Sequence, residues 1–197
     1  MEIYTIGFAK KSAEEFFGAL KRNGIKRLID IRLNNTSQLA GYAKMNDLKY
    51  FLKELCSAEY IHELLLAPTN EILTSYKKRK ITWEDYEKRF LELMAERKIE
   101  EKIDRNLFDG PTVLLCSEAK ADHCHRRLAL EYLQNKWGTF KIGELVGSDQ
   151  GKCLSLWGNS EKKTFFLSLQ WLFSGRNRPD KEFSRWPRNK YCRAISV

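Results

Sequence analysis

Nowhere does this 197-residue chain approach the roughly 18 consecutive apolar residues of a membrane-spanning helix, so no membrane partner is expected. The opening MEIYTIG also lacks the charged-then-apolar pattern of a secretory signal, which points to a cytoplasmic protein. Internal repeats and low-complexity segments are missing too, and solenoid or fibrous architectures are excluded with them. Cysteine is sparse, odd in number and scattered (Cys56, Cys116, Cys124, Cys153 and Cys192), a pattern of reduced thiols rather than of a disulfide framework. Acidic residues are in deficit: 26 Asp and Glu face 35 Lys and Arg, leaving a net charge of +9. A basic surface of this kind raises encounter rates with polyanions, so a nucleotide or nucleic acid is the expected partner.

What is present suits one well-buried globular domain, with 43% hydrophobic residues in a chain long enough to enclose a core. Met1 to Gly7 reads as a strand, and Ser12 caps a helix whose apolar stripe is Phe16, Phe17 and Leu20. Arg27 to Leu33 returns as a second strand and completes a βαβ unit. Asn46 to Ala58 predicts a helix, Tyr60 to Leu64 a third strand, and Glu71 to Ile103 a helical passage broken near Lys80. Its second part has Thr82 as N-cap and a stripe of Trp83, Tyr86, Phe90, Leu93 and Met94, read as core. The run Lys77 to Lys80 between the two helices could touch a phosphate backbone, though exposed charge runs are usually solvated turns. Phe140 to Val146 gives a last strand. The expected fold is α/β: a mainly parallel, Rossmann-like sheet of about five strands flanked by helices, over residues 1–146.

Chemistry concentrates in Thr112 to Tyr132, TVLLCSEAKADHCHRRLALEY. Val113, Leu114 and Leu115 form a short run buried on both faces of a parallel sheet, and Cys116, Ser117 and Glu118 lie at its carboxyl end, where α/β sheets bind ligands. Asp122 is the expected N-cap of the next helix, whose first turn would hold His123, Cys124 and His125, with Arg126 and Arg127 behind. Backbone amides, helix dipole and guanidinium groups would then converge on an anion. Cys124 could attack covalently with His125 as its base, or pack beside Leu128; His125 could equally be a core histidine. Glu118 could move protons or pair with Arg126. Asp30 and Arg32 share a strand face and either pair with each other or reach the crevice. Arg32, Arg126 and Arg127 are the candidate anion-binding groups. No metal or other cofactor is expected, because three consecutive helical residues fan across about 200° and could not all face one ion.

The segment CSEAKADHCHRR after a strand, with YTIG at residues 4–7 and DIR at 30–32, resembles the domain of unknown function 488 family, as do Gly41-Tyr42 and Tyr60 to Leu64. The resemblance covers about the first three quarters of the chain. It implies a compact α/β domain with these motifs lining one crevice, and makes Asp30, Arg32, Glu118, Cys124, His125 and Arg126 the positions to watch. The family usually reads TIGHS where this chain reads TIGFA, so an activity using that histidine would be lost or altered at Phe8.

Residues 147–197 differ in kind. From Gly151 onward ten Lys or Arg stand against three Asp or Glu, a net of +7 out of the whole +9. In GRNRPDKEFSRWPRNKY, Arg176, Arg178, Arg185 and Arg188 could meet phosphates while Trp186 stacks on a base. The same aromatic groups could instead dock on the main domain. The expectation is therefore an enzyme acting on a nucleotide or nucleic acid, with an anionic ligand in the crevice around Glu118 and Arg126. The alternative is a non-enzymatic nucleic-acid-binding module working through this basic C-terminal extension.

Overall fold

The computed structural model describes residues 1–36 and 40–146, together with the backbone of Leu154–Ser155. Residues 147–153, where the expected extension begins, and the candidate nucleic-acid residues Arg176, Arg178, Arg185, Trp186 and Arg188 lie outside the described residues.

Five parallel strands form the sheet: β1 (Glu2–Gly7), β2 (Arg27–Asp30), β3 (Glu59–His62), β4 (Thr112–Cys116) and β5 (Lys141–Glu144). A two-residue strand, β6 (Leu154–Ser155), adds antiparallel to β5. The order is β3-β2-β4-β1-β5-β6, so β4 inserts between β2 and β1. The helices are α1 (Ala13–Arg22), α2 (Met45–Cys56), α3 (Asn70–Lys77), α4 (Trp83–Arg97), α5 (Ile99–Lys102) and α6 (His125–Trp137). This is the α/β fold that the alternating apolar runs and stripes predict.

Local chemistry explains the helix starts. Ser12 accepts from the Glu15 N–H while the Glu15 carboxylate accepts from the Ser12 N–H, and Thr82 and Asp85 repeat this reciprocal cap on α4. The middle of the sheet is dry: all five residues of β4 are buried, with Val113, Leu114 and Leu115 at 0% exposure beside Ile3 and Ile6 of β1. Each such side chain contributes about 1.5–3 kcal/mol by leaving water. Strand alternation then sorts the groups that matter. Ile6, Leu28, Val113 and Leu115 belong to the core shared with Phe16, Phe17, Leu48 and Leu52 of α1 and α2. Cys116, one residue past Leu115, is therefore directed to the other face, where His125 of α6 meets it. Asp30 pairs in register with Leu115 and stands on the α1–α2 side.

Candidate functional site

The site begins at the carboxyl end of β4, where the chain must leave a buried strand and enter α6. Gly7, the last residue of β1, makes the exit possible: a Cβ there would lie 1.7 Å from the Glu118 carbonyl oxygen. The Ser117–Glu118 segment thus lies directly on β1, fixed by a hydrogen bond from the Ala9 N–H to the Ser117 carbonyl at 3.0 Å. Only a residue without a Cβ admits this approach, and the approaching group is backbone.

Arg126 completes the junction from the inside. Its guanidinium has no exposure; it donates to the carbonyls of Glu118 and Ala119 and to the Glu144 carboxylate of β5 at 2.9 Å. Both Nη groups of Arg126, expected to receive an anion, are directed to the protein instead; its buried Nε has no hydrogen-bond partner, and the residue lies outside the cleft lining. Arg127 also lies outside that lining. It ties α6 to α4 through Glu87 and Glu131, both at 3.3 Å, and stacks over Trp83 at 5.9 Å. Asp30 is fully engaged: it accepts from Arg32 Nε at 2.8 Å, Arg32 Nη2 at 2.6 Å and the Tyr60 hydroxyl at 2.7 Å, at 0% exposure. Facing α1 and α2, it is positioned to hold Arg32 rather than to move protons in the crevice.

Asp122 does not cap α6. The N-cap is Cys124, in extended conformation at φ −141° and ψ 138°, with no side-chain cap bond. This one difference reorganises the chemistry. Because Cys124 lies outside the helix, its sulfur turns to the same point as Cys116 and His125, and the three ligand-type atoms stand within 4.8 Å of one another. His125 Nε2 donates to the Ile31 carbonyl at 2.9 Å, which leaves Nδ1 facing the Cys116 sulfur at 3.6 Å. Arg126 Nη1 approaches the Cys124 sulfur, also at 3.6 Å. The hydrogen bond from the Cys124 thiol, with His125 beside it and the Glu118 N–H, holds the Cys116 thiol well below its ordinary range despite burial. Cys124 moves the other way, raised by burial and by the hydrogen bond to Cys116. Burial alone would depress His125, but the charge and hydrogen bond of Cys116 outweigh it and raise the imidazole. The sulfur paired with the imidazole is therefore Cys116, where the sequence analysis pairs Cys124 with His125.

These three residues form the floor of a cleft of about 430 Å³, within the usual size of a small-molecule site. Arg32 and Glu118 line it as expected, and so do groups that the sequence analysis assigns elsewhere. Lys77 and Arg79, read there as part of a charged run, bring two more cations to its wall. Tyr76, Trp83, Tyr86 and His123 make an aromatic flank, with Trp83 stacked on Tyr86 at 5.2 Å and 5.0 Å from His123. The signal that could have found them is the break between α3 and α4, since it is the loop there that folds over the strand ends. Arg32 enters the cleft from beneath, at 3% exposure, with its guanidinium 5.1 Å from the Phe8 ring. Phe8, where the resembled family usually has histidine, is thus an apolar support for Arg32. His62, the last residue of β3, donates to the Arg32 carbonyl at 2.8 Å, a structural role.

The family model described as "Domain of unknown function DUF488" matches residues 12–133, well over half of the sequence. The chain belongs to the DUF488 family. The matched span contains the whole DIR segment and Cys116 to Arg127, while YTIG precedes it. Comparison with curated proteins and with solved structures gives no match. The DUF488 domain of this chain is thus described by its own geometry: a sulfur and imidazole centre under a cleft walled by cations and aromatic rings.

Proposed function

We propose that this DUF488 protein is an enzyme acting on a nucleotide or nucleic acid. One observation carries the reading: the cations Lys77 and Arg79, the rings of Tyr76 and Trp83, and the Cys116–His125 pair with Glu118 all line a single cleft, above an Arg32 that is paired with Asp30 and bonded to the Ala43 carbonyl. Guanidinium groups take phosphate oxygens in forked pairs, and a nucleobase gains from flat π surface. Glu118 is exposed in the cleft while its main chain is clamped by Gly7 and Arg126, so its carboxylate is free to carry a proton. The anion lies toward Lys77 and Arg79, rather than against Arg126.

Calorimetric titration with nucleoside monophosphates and a short oligonucleotide tests this. Replacing both Lys77 and Arg79 with Ala removes two charge-assisted contacts of about 1.5–3 kcal/mol each, at least about a hundredfold in affinity. Trp83→Leu weakens binding by about 1–3 kcal/mol through lost stacking. Glu118→Gln keeps binding and loses turnover of whichever nucleotide binds. Nucleotide binding that ignores all of these substitutions, or no binding of any nucleotide, refutes the reading.

A further inference from the structure

We infer that Cys116, Cys124 and His125 form a binding site for one zinc ion, held by two thiolates and one imidazole with its fourth position open to the cleft. The chemistry of the set is that of zinc: soft sulfur and borderline nitrogen, three protein ligands and one vacancy, as catalytic zinc sites are built. The spacing fits. Metal–sulfur bonds of about 2.3 Å and metal–nitrogen bonds of about 2.0–2.1 Å at tetrahedral angles separate sulfur from nitrogen by roughly 3.6 Å. His125 Nδ1 and Cys116 Sγ stand 3.6 Å apart, and Cys124 Sγ lies in the same cluster within 4.8 Å.

A second, independent observation concerns the surroundings. A histidine that binds metal through one nitrogen ordinarily donates the other N–H to a carbonyl or carboxylate, which fixes the ring and its tautomer. His125 does this with the Ile31 carbonyl at 2.9 Å, leaving Nδ1 directed at the sulfurs. Arg126 Nη1, 3.6 Å from the Cys124 sulfur, offsets the charge of two thiolates and donates to one of them. The ligands come from a rigid frame: Cys116 ends the central strand, and Cys124 and His125 open α6. All three are buried, yet all three line the cleft, so an ion there would be shielded on the protein side and would hold water or substrate on the other. This inference rests on the proposed function only for the use of that open position; the metal site itself is independent of it.

The test is metal analysis of the full-length protein, reconstituted with zinc and passed through gel filtration, together with titration of the zinc-free protein with cobalt(II). One equivalent of zinc is expected, and cobalt should give the intense thiolate charge-transfer and d–d absorption of a tetrahedral sulfur site. Cys116→Ser, Cys124→Ser and His125→Gln should each lose the ion, while Cys56→Ser, on the α1–α2 side, should retain it. Far-UV circular dichroism shows whether each variant folds. The cobalt spectrum of the unaltered protein decides the matter where one does not. Zinc absent after reconstitution, or cobalt bound without thiolate absorption, overturns the inference. Nucleotide titration of the same zinc-free protein reads the proposed function separately, so the failure of either is distinguishable.

Discussion

Gly7→Ala is the sharpest single perturbation of the junction on which the cleft depends. The new methyl group would fall 1.7 Å from the Glu118 carbonyl oxygen and 2.9 Å from Arg126 Nη1. Ordinary contact needs about twice the shorter separation, so the Ser117–Glu118 segment has to lift off β1 by more than an ångström. That movement strains two hydrogen bonds, from Ala9 N–H to Ser117 and from Arg126 to Glu118. Overpacking costs about 1–3 kcal/mol, and loss of a buried charged hydrogen bond about 1.5–3 kcal/mol, so a total of about 3–5 kcal/mol is expected. A fall of that size takes a large part of an ordinary domain's stability. Urea unfolding followed by circular dichroism measures it. Gly18→Ala is the internal control, because Gly18 sits inside α1 and its Cβ would meet only the flexible end of Arg22, at 3.0 Å. There the better helix propensity should raise stability by up to about 1 kcal/mol. If Gly7→Ala shifts stability by less than the control does, the segment does not lie on β1 and the described junction is wrong.

Two further predictions rest on the same geometry and a third on the charge pattern of the sequence. Arg79 holds a left-handed conformation at φ 55° at the end of α3, so Arg79→Gly should stabilise the fold by about 1 kcal/mol while weakening nucleotide binding roughly tenfold, read by thermal melting and calorimetry. Stabilisation without loss of affinity would remove Arg79 from the anion site. Arg126→Met strands the Glu144 carboxylate and two carbonyls, and should cost about 3–5 kcal/mol in urea unfolding; a cost under about 1 kcal/mol would contradict its clamping role. Replacing Arg176, Arg178, Arg185 and Arg188 together with Gln should flatten the salt dependence of oligonucleotide binding and leave mononucleotide affinity unchanged; a parallel loss of both would place nucleotide binding in the extension.

The fold was legible because its signals are local. Ser12 and Thr82 announce helix starts in the sequence, and with Glu15 and Asp85 they form reciprocal caps in the structure. The run Val113 to Leu115 is short, apolar and fully buried, and it became the central strand. The site was legible in place but not in roles. Which arginines face the ligand depends on strand order and sheet face, and neither is written in spacing: Asp30 and Cys116 stand on opposite faces of neighbouring strands. Arg126 and Arg127 look like anion binders beside a helix start, yet their Nη groups donate to carbonyls and carboxylates of the protein itself. The expectation that no metal binds assumed helical geometry for His123 to His125. Extended backbone at Cys124 removes that premise and lets a strand residue join the set. The Lys77 to Lys80 run is legible as a possible phosphate contact, but its place at the cleft is not, because a charged turn announces its exposure and not what it folds against.

The most direct test of the central claim is a crystal structure of the full-length protein with a nucleoside monophosphate bound. The phosphate should lie against Lys77 and Arg79, the base against Tyr76 or Trp83, and the Cys116–Cys124–His125 centre on the floor beneath. A nucleotide bound away from this cleft, or a cleft closed by its own side chains, would contradict the account.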